Sequence, residues 1–182
     1  MFRLERRRVW ENEGTDIFLP CPDDNVIIIF SHILQHFFFG GIGLRQICDL
    51  CRLLWTCRNE IDRPLLESRI REMGLLSEWK AFAGYAVDYL GMPAEAMPMY
   101  EGSRRWRRKE SRINRFILKV GNFGYNRDRT FYDKYPYVIY KAISLGRHIA
   151  DFFCYIRIFP MDSLRVMTRR LTIGVKAVSE GK

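Results

Sequence analysis

Four side chains in the most apolar stretch of this sequence carry chemistry at helical spacing. His32 and His36 are four residues apart, and so are Arg45 and Asp49; each pair therefore shares one face of a helix. Two imidazoles so placed can supply half of a metal site, or can hydrogen-bond within a cleft or against a loop. No glutamate follows His32 as a zincin motif requires, and the sequence names no third ligand. Arg45 and Asp49 can pair within their helix, although their order is the less favourable one. Alternatively, a stripe of Arg45, Asp49 and Arg52 can face a ligand or another domain.

A second group of side chains lies between Ser103 and Arg129, where ten Lys or Arg stand against Glu110 and Asp128 alone. The whole chain carries a net charge of +9, so most of the imbalance sits in this one stretch. Arg104, Arg105, Arg107, Arg108, Arg112 and Arg115 are the candidates for holding phosphate or another polyanion. The plainer alternative is a solvated helix face. Cys48, Cys51 and Cys57 have the look of a zinc half-site, but the spacing puts them mid-helix on an apolar face, where core packing is expected.

These residues need helices to position them. Asp23 and Asp24 are expected to cap a first long helix over 25–39. Gly40, Gly41 and Gly43 then form a corner. A second helix over 44–58 is expected to bury Leu44, Ile47, Cys48, Cys51, Leu54 and Trp55. Both arms are apolar nearly all round, which implies burial with one narrow polar stripe each. Asp62 caps a helix with Pro64 in its first turn, ended by Gly74; Ser77 is expected to cap another over 78–90, closed by Gly91. Ser103 opens the basic helix, with Trp106, Ile113, Ile117 and Val120 on its inner face. A long helix follows from 135–136 to about 158, with Pro160 as its stop. Asp162 or Ser163 caps a last helix burying Leu164, Met167, Leu171 and Val175. Residues 2–12 read as a short helix and 15–22 as extended chain. No alternation of strand type is evident, so the expected fold is all-α: a multi-helix bundle in one domain over 1–182. Its parts are a lead-in over 1–22, core helices over 23–100, and the basic and C-terminal helices over 103–182.

Composition limits the remaining possibilities. Nothing resembling a signal peptide follows the charged start, and the five cysteines are an odd number, which fits free thiols in a reducing, cytoplasmic setting. The apolar run over 26–44 is interrupted by His32, Gln35 and His36, so no transmembrane segment is expected. There is no Gly-x-Ser-x-Gly, no phosphate loop ending in Lys-Ser or Lys-Thr, and no Asp-x-Asp. Gly40-Gly41-Ile42-Gly43 lacks the preceding strand of a dinucleotide site.

His32 and His36 followed by Gly40-Gly41-Ile42-Gly43-Leu44-Arg45-Gln46-Ile47-Cys48-Asp49 resemble the helical half of the uncharacterised nucleotidyltransferase family of bacterial polysaccharide and surface-modification loci. The likeness continues through Gly74-Leu75, Trp79-Lys80, Phe82, Tyr89-Leu90-Gly91-Met92-Pro93, Gly121-Asn122-Phe123-Gly124 and Phe159-Pro160. The resemblance implies an N-terminal nucleotidyltransferase-fold domain bearing a Gly-Ser motif and magnesium-binding carboxylates, which this sequence lacks. Met1 falls just after the place of the third such carboxylate, so a truncated or separately encoded C-terminal helical domain is expected.

The expected function is the acceptor-side wall of a nucleotidyl-transfer cleft, inactive alone. Its substrate-binding groups would be His32, His36, Arg45, Asp49 and Asn122. No metal or cofactor is expected in this chain. Magnesium and a nucleoside triphosphate would come with a nucleotidyltransferase domain or a separate catalytic chain. The alternative is a basic helical module that binds nucleic acid or another polyanion through the arginines of 104–115.

Overall fold

The computed structural model describes residues 6–12, 15–39, 41–121, 136–164 and 168. Apolar residues recurring at three- and four-residue intervals produce a helical bundle, preceded by one β-hairpin. Strands β1 (Arg6–Asn12) and β2 (Thr15–Pro20) pair antiparallel. In place of the short helix expected over 2–12, residues 6–12 form a strand, and 2–5 lie outside the described residues. Val9, Trp10, Thr15, Ile17 and Phe18 are residue types that favour strands. The register shifts between Arg8 and Trp10, which pair with Phe18 and Ile17; this bulge breaks the alternation that would have revealed β1 in the sequence.

β2 lies against α1 (Pro22–Phe39). Asp23 and Asp24 sit inside the first turn of α1 rather than capping it from outside, and both are buried. They tie α1 to the chain around α3 (Arg63–Glu72). Asp23 accepts the backbone N–H of Asp62 at 3.0 Å, and Asp24 accepts from Arg69 Nη1 at 2.7 Å. Their charge also suits the positive end of the helix dipole. Asp62 caps α3 as expected, accepting from the Leu65 N–H.

The corner between α1 and α2 (Leu44–Thr56) is built from glycine. Gly41, at φ +87°, donates its N–H to the carbonyl of His36 and closes α1 in a left-handed turn. The Gly43 N–H donates to Gln46 Oε1, supplying the first turn of α2 with a cap. Gly40 lies outside the described residues.

Neither arm is buried all round. α1 buries Val26, Phe30, Ile33, Leu34, Phe37 and Phe38 and leaves Ile28, His32, Gln35 and Phe39 exposed. α2 buries Ile47, Leu50 and Leu54, while Leu44, Cys48 and Trp55 face out, correcting the expected inner face. An isolated helix can carry apolar residues around most of its girth; only its neighbours decide which third is covered. The five cysteines form no disulfide with one another.

α4 (Leu76–Leu90) begins two residues earlier than expected, so Ser77 lies inside it, and Leu75 occupies the cap position without a side-chain bond. Gly91, at φ +74°, ends it. A single 3-10 turn (Ala94–Ala96) leads to α5 (Arg104–Val120), which buries Trp106, Ile113, Phe116, Ile117 and Val120. α6 (Tyr137–Ile156) follows. Pro160 does not stop α6: it opens a further helical stretch over 160–164, inside which Asp162 and Ser163 lie. Ser163 is buried, but Leu164 is 48% exposed rather than core. Met167, Leu171 and Val175 are outside the described residues.

Aromatic rings fill the centre. Phe37 meets Phe82, Phe116 and Tyr155 at centroid distances of 5.4, 5.1 and 5.5 Å. Trp79 packs edge-on against Phe30 and donates Nε1–H to the Pro98 carbonyl at 2.8 Å. Edge-to-face pairs of this kind add specificity to the area that they bury. Among the described residues no helix is long and apolar enough to cross a membrane.

Candidate functional site

At the α1–α2 corner the two histidines meet each other. Their Nε2 atoms are 2.9 Å apart and their rings stand edge-on at 87°. One ring must donate while the other accepts. His32 is exposed and His36 half-buried, so the pair lies at the surface, each ring bonded to the other. Partial burial, and then the neighbouring His32, hold His36 below the usual histidine value. Arg45 and Asp49 are both exposed, and no ion pair joins them. Arg45 stands in the first turn of α2, where a cation opposes the helix dipole, and Asp49 follows it in the weaker order. Asn122 lies outside the described residues. Among the described residues no group of three His, Cys, Asp or Glu gathers as a metal site would require.

α5 presents a different surface. Its inner residues recur at 106, 113, 117 and 120, which sends Arg104, Arg105, Arg107, Arg108, Arg112 and Arg115 outward. A shallow, open groove of about 420 Å³ is lined by Arg104, Arg107, Arg108, Ser111, Arg112 and Arg115, with no carboxylate in its wall. Arg105 is set apart over the Trp106 ring, 5.0 Å from its centroid. Arg112 donates to the carbonyl of Arg157, and Arg107 faces Asp88 at 3.8 Å. Arg104, Arg108 and Arg115 form no ion pair among the described residues. Like charges four apart on a helix repel by about 0.2–0.5 kcal/mol per pair; an anion in the groove would relieve that repulsion.

The seam between α4 and α5 holds a third set of groups, which the sequence reading missed. Glu78, on α4, is 2% exposed and Glu110, on α5, is 1% exposed, and each keeps one carboxyl oxygen without a hydrogen-bond partner. Burial, with Asp162 beside it, pushes Glu78 up to about 8. Burial and the Asp88 carboxyl push Glu110 up to about 7. Lys109 reaches into the first of these pairs, donates to Ser77 Oγ at 2.7 Å, and lies 5.1 and 5.0 Å from the Trp106 and Phe159 ring centroids. Burial holds it below the usual lysine value. Glu110 fits only because residue 84 is glycine: a Cβ there would overlap the Glu110 carboxyl. A signal was present in the sequence, since Glu110 falls between Trp106 and Ile113 on the inner face of the basic helix. Whether a buried carboxylate has a partner, however, depends on α4.

Beside this seam, Asp88, Tyr89, Arg107 and Glu110 line a second open pocket of about 360 Å³. Tyr100 donates its hydroxyl to Asp88 Oδ1 at 3.0 Å, and Tyr85 donates to Asn114 Oδ1 at 3.2 Å. The arginine groove and this pocket share Arg107 as a wall. The histidine pair, the Arg45–Asp49 stripe and the arginine groove belong to three different helices, α1, α2 and α5.

No curated protein and no solved structure matches the chain. The model of one family, described as uncharacterised nucleotidyltransferase, matches residues 2–91. The matched stretch takes in the β-hairpin, α1 to α4 and the His32, His36, Arg45 and Asp49 positions, and it ends before α5. The likeness read from Gly121-Asn122-Phe123-Gly124 and Phe159-Pro160 falls outside it. The match covers just under half of the chain, and over residues 2–91 the chain is similar to that family of uncharacterised nucleotidyltransferases.

Proposed function

We propose that this chain is the helical, acceptor-side part of a nucleotidyltransferase-like protein and that it holds the phosphates of its substrate in the arginine groove of α5. The observation that carries this reading is a groove walled by five arginines and a serine, with no carboxylate among them. Transfer of a nucleoside monophosphate needs metal-bound carboxylates to align the attacking and leaving oxygens. On this reading, magnesium and the catalytic carboxylates belong to a nucleotidyltransferase domain or a separate catalytic chain. The part played here is positioning: guanidinium groups hold phosphate bidentately and fix its orientation. His32, His36 and Arg45 remain candidate contacts to the acceptor.

One feature favours the second reading, a module for nucleic acid. Arg104 to Arg115 spans about 16 Å along α5 at roughly 1.5 Å per residue, which is long enough to meet several phosphates of a strand. Titration of a nucleoside triphosphate and of a nonspecific RNA oligonucleotide into the purified chain, at about 50 and 200 mM salt, separates the two. Micromolar triphosphate binding that is lost in the Arg104→Ala, Arg108→Ala, Arg112→Ala triple variant supports the acceptor-side reading. Binding of RNA alone, with a steep salt slope, favours the module. Absence of any binding at the lower salt overturns the groove as an anion site, and turnover by the isolated chain with magnesium and triphosphate overturns the acceptor-only role.

A further inference from the structure

The groove and the pocket on either side of Arg107 have opposite chemistry. The groove is walled by guanidinium groups, whereas the pocket presents two carboxyls and a phenol ring. At about 360 Å³ the pocket is of the size that takes a small ligand, for which roughly 300–1,000 Å³ is usual. Glu110 belongs to its wall while being 1% exposed, with its unpartnered Oε1 turned against Gly84. Asp88 Oδ2 stands 3.8 Å from Arg107 Nε, which is beyond hydrogen-bond length, so this pair leaves room for a better donor. Tyr89 is 44% exposed and is held by stacking on the buried Tyr85, with centroids 5.1 Å apart.

Carboxyls accept hydrogen bonds from hydroxyl groups, an aromatic face takes the apolar face of a sugar ring, and guanidinium groups take phosphate. We propose that the pocket binds the sugar of a phosphorylated sugar, free or within a nucleotide, with its phosphate in the α5 groove. The inference rests on the phosphate reading of that groove and adds a substrate class to it. The charges set the orientation, because carboxyls repel phosphate and arginines attract it. The hydroxyls therefore face Asp88, the phosphate faces Arg104 to Arg115, and Arg107 lies between them.

Calorimetric titration of the whole chain with methyl phosphate and with ribose 5-phosphate, at one ionic strength and pH 7, tests this. The two esters carry the same charged group, and only one carries a hydroxylated ring. Ribose 5-phosphate is expected to bind about tenfold more tightly, the effect of one or two hydrogen bonds to a carboxylate. Asp88→Asn should bring the ratio of the two affinities close to one. Tyr89→Ala, at a position 44% exposed, should lower the ratio severalfold and serves where Asp88→Asn fails to fold. Equal affinity of the two esters for the native chain overturns the sugar pocket and leaves the groove standing. Failure of both esters to bind overturns the groove as well.

Discussion

The α1–α2 corner and the α4–α5 seam use polar residues in contrasting ways. At the corner, His32 and His36 lie one turn apart on one helix and hydrogen-bond to each other at the surface. At the seam, Glu110 and Asp88 are brought together from two helices, and Glu110 is almost fully buried beside Gly84. Local spacing produced the first arrangement, and packing produced the second. A surface pair changes little in free energy when removed, whereas a buried carboxyl has lost its water and depends on its neighbours. The lesson is that residues whose spacing looks chemical are not the ones under the greatest physical constraint.

The sharpest way to break this contrast is Gly84→Ala. Elsewhere in a helix, alanine in place of glycine adds about 1 kcal/mol of stability. Here the new methyl overlaps the Glu110 carboxyl, so a net loss of about 1–3 kcal/mol in urea unfolding is expected. In a Glu110→Ala background the same change should become neutral or stabilising, and the double-mutant cycle reads the coupling directly. A stabilising Gly84→Ala in the native chain would show that the carboxyl does not occupy that space.

A second effect is expected from pH. Glu78 and Glu110 rise from the ordinary 4.5 to about 8 and about 7 in the folded chain. The folded state thus binds protons that the unfolded state has already released. Their contribution to stability is fully present below about 4.5 and is lost as the pH rises through 7 and 8. The urea midpoint should fall between pH 5.5 and 8.5, and Glu78→Gln with Glu110→Gln should flatten that slope. A midpoint that rises over the interval, equally in the native chain and the variant, would contradict the buried-proton account.

The corner should give the smallest response. His32→Ala with Arg45→Ala is expected to shift stability by no more than about 0.5 kcal/mol, as is usual for exposed positions away from buried networks. A loss several times larger would mean that the corner stripe is held by something more than its own helix.

Much of the fold was legible in the residues because its determinants are local. The left-handed glycines after α3 and α4, the Asp62 cap and the inner face of α5 each depend on residues within one or two turns. Residues 6–12 misled because a strand is stabilised by its partner rather than by itself, and the bulge near Val9 hid its alternation. Asp23 and Asp24 read as caps because acidic residues suit a helix start; their actual bonds reach Asp62 and Arg69, far along the chain.

By itself, then, the sequence determined a helical bundle turning at glycines, a kinship over residues 2–91, and a helix whose arginines must face outward. The bundle and the outward arginines follow from periodicity, from backbone freedom at glycine, and from the cost of burying a guanidinium; the kinship rests on the family match alone. Only the tertiary structure decided which third of each apolar helix is covered, that Glu110 lies against Gly84, and that Arg107 joins a basic groove to an acidic pocket. Each of those depends on two segments meeting in space, and burial, shared protons and pocket walls arise only from that meeting.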